Sequence, residues 1–310
     1  MNLLVGTLSM GLLLSLLALG VYVTYRVLGT VDLTTDGSFG TGAAVAGALI
    51  ASGFNPFGAT LVAAVAGIGA GLATGIMHAR FGVNLLIAGI LTSTALYSAD
   101  LVIMGGGNVA IPNRPTLLTA AEQGWRSVGG GPFVELLGTE VSASQLSALL
   151  FLLLLSTAVV MTLDYFFRTR AGLAMRATGD NAQMAAAQGI DVSRTTVFSL
   201  LLANALIALS GALFAQYQGF ANIEMGVGMI VTGLACVILG ETFFGIGRVR
   251  RALVGAVAGA VVLRLLVAAA LRLGLDPNAL KLLTALLVLA AILLPRAITA
   301  RQARATRANV

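Results

Sequence analysis

The chain has 310 residues, 58% hydrophobic and 10% charged, with a net charge of +6 and a mean hydropathy of +0.98. Soluble domains carry roughly 25% charged residues, and no aqueous core of this length hides so much apolar surface, so the composition excludes a soluble enzyme and reads as a membrane protein. One cysteine, Cys236, and one histidine, His78, rule out a disulfide framework and a multi-ligand Cys/His metal site.

A helix needs about 20 apolar residues to cross roughly 30 Å of hydrocarbon. Nine runs of this kind follow one another: Leu3–Arg26, Ser38–Ser52, Ala59–Met77, Asn84–Met104, Gln145–Phe166, Thr195–Tyr217, Gly226–Phe243, Ala252–Leu271 and Ala279–Leu294. The first lacks the positive start and cleavage site of a signal peptide and is read as a retained span. Before the second run, Asp32 and Asp36 lie in VDLTTDGSFGTGA, where Thr34 or Asp36 is placed to cap that helix. The second run is short and Gly-rich and the seventh is interrupted by glycine, so either is read as a broken or re-entrant helix.

In the third run Gly67, Gly71 and Gly75 recur every fourth residue, a spacing that lets a second helix backbone come close; Gly255 and Gly259 repeat it in the eighth. The fourth run carries Ser93, Thr94, Tyr97 and Ser98 at helical spacing, with Asp100 beyond them. That stripe lines a polar path or bonds neighbouring helices. Between the fourth and fifth runs, residues 105–144 form one long connection with Pro112, Pro115, Trp125 and the glycines 129–131; a loop of such length is a functional element or a lid. Cys236, in the seventh run, reads as a small packing residue. Arg264 is the one strong base well inside a run, and an acidic partner is expected among Asp100, Glu224 and Glu241.

Lys and Arg in short loops set the orientation. With the segment after Phe166 inside the cell, thirteen arginines share that side: Arg26, Arg80, Arg168, Arg170, Arg176, Arg194, Arg248, Arg250, Arg251, Arg296, Arg301, Arg304 and Arg307. Only Arg114, Arg126, Arg272 and Lys281 fall opposite. The basic tail, 296–310, reads as an anchor near anionic lipid rather than a nucleic-acid arm. The expected fold is therefore all-α: a single polytopic transmembrane bundle of about 8–10 helices over 1–310, with some broken or re-entrant. Residues 105–144 are expected outside the cell, and 167–195 and the tail inside.

The lone lysine, Lys281, leaves no G-x-x-x-x-G-K-[ST] phosphate loop, and no H-E-x-x-H or G-x-S-x-G is present. The chain has neither its own ATPase nor a visible catalytic set. The basic segment 167–195 instead resembles a docking surface for a soluble motor. Within it, RATGDNAQMAAAQGI is similar to the "R-A-x-G-x-N-x-x-x-A-x-x-x-G-I" pattern of branched-chain amino acid and ribose type permeases of bacterial ABC importers, with Arg176, Ala177, Gly179, Asn181, Ala185, Gly189 and Ile190 in place. The stretch from LTTDGSFGTG to LYSADLVIMG more narrowly resembles a subgroup linked to tryptophan or other aromatic amino acid uptake. The likeness covers about Leu33 to Gly245.

This resemblance implies a permease of the bacterial inner membrane carrying a small solute, an amino acid being favoured. It implies a cytoplasmic ABC ATPase that holds the ATP and magnesium, an extracytoplasmic substrate-binding protein, and a second permease chain, identical or different. The matched residues, with Arg194, would form the ATPase contact. Two departures stand out: the loop from Gly245 to Arg251 is short for a second docking helix, and Asp180 and Asp191 are the segment's only acids. An ion-coupled secondary transporter or channel shares the composition and remains the alternative.

Overall fold

The computed structural model describes residues 2–274 apart from 112–113, 128–130, 132, 137–138 and 246, and only scattered positions beyond. The ninth expected span and the basic tail lie outside the described residues. Those residues form eleven α-helices: α1 (Asn2–Tyr22), α2 (Thr34–Ala51), α3 (Pro56–Phe81), α4 (Leu85–Met104), α5 (Leu117–Ser127), α6 (Ala143–Phe166), α7 (Arg170–Asp180), α8 (Ala182–Ala187), α9 (Val192–Gln218), α10 (Met229–Phe244) and α11 (Val249–Arg272). A π-helical turn, Val23–Val27, extends α1. Among the described residues seven segments are long and apolar enough to cross a membrane: α1 with its π turn, α3, α4, α6, α9, Ile223–Phe244 and α11.

The two runs singled out as irregular behave differently. α2 is an unbroken helix of 18 residues. Its polar and glycine residues dilute its hydropathy, yet it is enclosed by α3, α4 and α9. The seventh run is the broken one: a 3-10 turn, Ile223–Gly226, precedes Gly228 at φ 83°, and only then does α10 begin. Gly226 lies against the Asp36 carbonyl of α2, where a Cβ would not fit.

Small residues set the helix spacing. A methyl at Gly67 or Gly71 would run into the α9 carbonyls of Asn204 and Leu200, and one at Gly75 would stand 3.1 Å from Val197 Cα, so the three glycines track successive turns of one partner. Gly259 faces the Cys236 carbonyl in the same way, and Gly255 faces that of Gly240, closing α10 on α11. Between α2 and α9 the device is reciprocal: Gly42 faces the Ala208 carbonyl and Gly211 faces that of Phe39. Around this seam α1 is the hub, its Leu13, Leu16 and Leu17 fully buried among α6, α9, α10 and α11.

One end of the bundle is basic, with Arg26 at the close of the π turn, Arg80 in the last turn of α3 and Arg248–Arg251 at the start of α11. The opposite end carries the long connection, which holds α5, one short antiparallel pair and one strand of a second. Strand β1 (Asn108–Ala110) pairs with β4 (Phe220–Asn222), and β2 (Phe133–Leu136) with β3 (Thr139–Ser142). Gln216 anchors this layer: its Oε1 accepts from Leu117 N at 3.0 Å and its Nε2 donates to Thr60 Oγ1 at 2.8 Å.

Candidate functional site

The matched segment folds as a helical elbow projecting from the basic end. Phe167, buried, stacks edge-on against Tyr22 at 6.4 Å and fixes the end of α6 on α1. The chain then turns sharply, because Gly172 presses on the Phe166 carbonyl and the Thr169 hydroxyl caps α7 by accepting from Gly172 N at 3.4 Å. Gly179 packs directly on the Val27 carbonyl, so α7 rests on the π turn that ends α1. Asn181 Oδ1 accepts from Met184 N at 2.9 Å and starts α8. Gly189, at φ 80°, stops α8, and Ile190 N reaches back to the Ala185 carbonyl at 3.1 Å; this is a glycine-closed helix end. Asp191 Oδ1 then accepts from Arg194 N at 3.0 Å and opens α9.

The pattern residues therefore divide by what they touch. Ala185 is 1% exposed and Gly179 is spent on backbone contact. Ala177 and Ile190 are half-buried, while Arg176, Asn181, Gly189 and Arg194 are exposed. The exposed residues that flank Ala185 in α8 are Met184, Ala186 and Ala187, none of which the pattern names. Their signal was present in sequence as the positions one before and one or two after the buried alanine. Arg176, Asp180 and Arg248 gather with Arg26 around a cavity of about 190 Å3, and Arg26 Nε pairs with Glu241 at 3.1 Å.

A second polar cluster is buried among α2, α3, α4 and α9. Asp32 Oδ1 accepts from Thr34 N at 2.9 Å and Oδ2 from Asn204 Nδ2 at 2.8 Å, while Ser38 Oγ donates to Asn204 Oδ1 at 2.6 Å. Thr34, Thr74 and Thr92 link their hydroxyls at 2.7 and 2.8 Å. The capping expected of Asp36 is corrected here. Asp32 serves the first amides of α2, whereas Asp36 accepts from Gly228 N at 3.0 Å and Ile230 N at 2.8 Å and so caps the broken start of α10.

The α4 stripe is split. Ser93 faces α2, its Cα 2.8 Å from where a Gly37 methyl would sit. Thr94, Tyr97 and Ser98 are exposed. Asp100 is buried, with Oδ2 accepting from Thr41 at 3.2 Å and Oδ1 unbonded. The partner expected for Arg264 does not come from the three acids considered: Glu241 pairs with Arg26 and Asp100 with Thr41, and among the described residues no ion pair includes Arg264 or Glu224. Among the described residues no cluster of three His, Cys, Asp or Glu is placed to hold a metal.

A close-packed bundle of helices long and apolar enough to cross a membrane, with an elbow at its basic end, is the architecture of a multi-pass membrane protein. Residues 3–293 match the family model described as "Branched-chain amino acid transport system / permease component", and the chain belongs to that family. It is 34% identical over 286 residues to a tyrosine transport system permease protein of Clostridioides difficile, covering 92% of this chain and 89% of that one. It is 32% identical to an uncharacterised protein of Rickettsia prowazekii, over 79% of each chain. An autoinducer 2 import system permease protein of Yersinia enterocolitica is 26% identical over 79% of this chain and 62% of its own. The chain is thus an ABC transporter permease component, resident in the inner membrane.

Proposed function

We propose that this permease imports an aromatic amino acid, tyrosine or a close analogue, and that its elbow is the seat of a cytoplasmic ABC ATPase. The substrate class is supported by the likeness to the tyrosine system permease over 92% of this chain and 89% of that one. The elbow assignment rests on its construction: an exposed two-helix projection whose ends are locked to α6, α9 and the close of α1 by glycine contacts and caps. A projection so fixed transmits a push instead of absorbing it. Arg176 and Arg194 stand at its flanks to meet acidic groups.

ATP and magnesium belong to the partner, and none of this chain's residues is assigned to hold them. The opposite end, with 105–144 and its short strands, receives an extracytoplasmic binding protein. A second permease, a copy or a homologue, faces the exposed side of α4, where Thr94, Tyr97 and Ser98 line the translocation path, with Ser93 and Asp100 behind them.

The test is tyrosine uptake by cells carrying Ala186→Arg, which puts a bulky charge on the outward face of α8 without entering the core. Uptake is expected to fall at least tenfold while the permease stays inserted at wild-type abundance and no longer co-purifies with its ATPase. Retention of full uptake removes the elbow assignment. Wild-type uptake that prefers an aliphatic amino acid or a sugar over tyrosine removes the substrate assignment alone.

A further inference from the structure

Arg264 lies well inside α11, its Nε shielded from solvent and unbonded. A cation held within a membrane span is retained with a partner. Arg264 borders a cavity of about 600 Å3 between the first turns of α1, the start of α6 and the last turns of α9 and α11. Gln145, whose Oε1 is likewise buried and unbonded, lines the same space, as does Arg272. Among the described residues no carboxylate lines it, and Leu3, Met10, Val267 and Leu271 make it largely apolar. Toward the basic end α6 and α11 part again around a second cavity of about 440 Å3 walled by Leu12, Leu153 and Val257. Both cavities are lined by α1, α6 and α11, and apolar side chains supply most of the wall of each.

We infer that this cavity binds a phospholipid, with its phosphodiester on Arg264 and an acyl chain along the α6–α11 groove. A guanidinium offers a phosphate paired, charge-assisted hydrogen bonds, and the Gln145 amide takes a headgroup hydroxyl or ammonium. Free phosphate or an amino acid carboxylate offers a negative charge but little for the apolar walls.

Native mass spectrometry of the purified full-length chain, supplied in turn with phosphatidylglycerol, phosphatidylethanolamine, inorganic phosphate or tyrosine, tests this. The wild type is expected to retain one phospholipid per chain through delipidation, Arg264→Gln to retain at least tenfold less, and Arg264→Lys an intermediate share. Ala268→Trp fills the cavity while leaving the guanidinium, and is expected to lose the lipid too; it decides the matter if Arg264→Gln does not fold. Equal occupancy in the wild type, Arg264→Gln and Ala268→Trp overturns the inference. So does displacement of the lipid by inorganic phosphate or tyrosine, or a photo-crosslinker at Ala268 that captures residues beyond 274 of the same chain.

Discussion

Asn204 makes three hydrogen bonds from within the buried polar cluster. Its amide donates to Asp32 and to the Leu200 carbonyl at 2.9 Å, and its oxygen takes the Ser38 hydroxyl. Asn204→Leu keeps the branched four-atom skeleton of the side chain and removes all three bonds, leaving a carboxylate oxygen and a hydroxyl without partners in a low-dielectric core. Each such orphan costs about 1–3 kcal/mol, so the detergent-solubilised protein is expected to melt several degrees lower; an unchanged melting temperature would show that these bonds add no net stability. A lone amide in LLLANALIAL is visible in the sequence as a polar group in a span. Its partner Asp32 stands 172 positions away, and no local pattern reports that pairing. The glycine series was legible for the opposite reason: a four-residue repeat needs only some backbone to lie against, whichever helix supplies it.

Among the elements, α10 depends on a cap supplied by another helix. Its first amides bond to Asp36 of α2, and a lost carboxylate cap weakens a helix start by about 1 kcal/mol. Asp36→Ala is therefore expected to speed hydrogen exchange at Gly228 and Ile230 about five- to tenfold while amides in the middle of α9 keep their rates. Uniform acceleration across both helices would mean global destabilisation instead. The break before α10 was readable from its glycines. That α2 would be continuous was not, because Gly-rich helices and re-entrant segments have the same composition and differ only in what surrounds them. The elbow's two-helix form was likewise hidden: RATGDNAQMAAAQGI reads as one helix until Asn181, extended at φ −159°, separates α7 from α8.

For the molecule as a whole, the gathering of Arg26, Arg176 and Arg248 at the elbow end predicts which side of the membrane it faces. In a Cys236→Ala background, a cysteine at the exposed Gln188 is expected to react with an impermeant thiol reagent only in inverted vesicles, and one at the exposed Asn108 only in intact spheroplasts. The reverse pattern would put the elbow out of reach of any cytoplasmic motor. The general class was plain from hydropathy, since span number and arginine bias are one-dimensional properties; the arrangement of spans was not, since it is written in pairings between distant residues. The reciprocal glycine seam of α2 and α9 also constrains how such a machine moves. Each helix seats a glycine under the other's carbonyl, so sliding or twisting either one drives a side chain into backbone. The two must swing as one piece, a fulcrum, which leaves the opening and shutting of the passage to the looser helices around them.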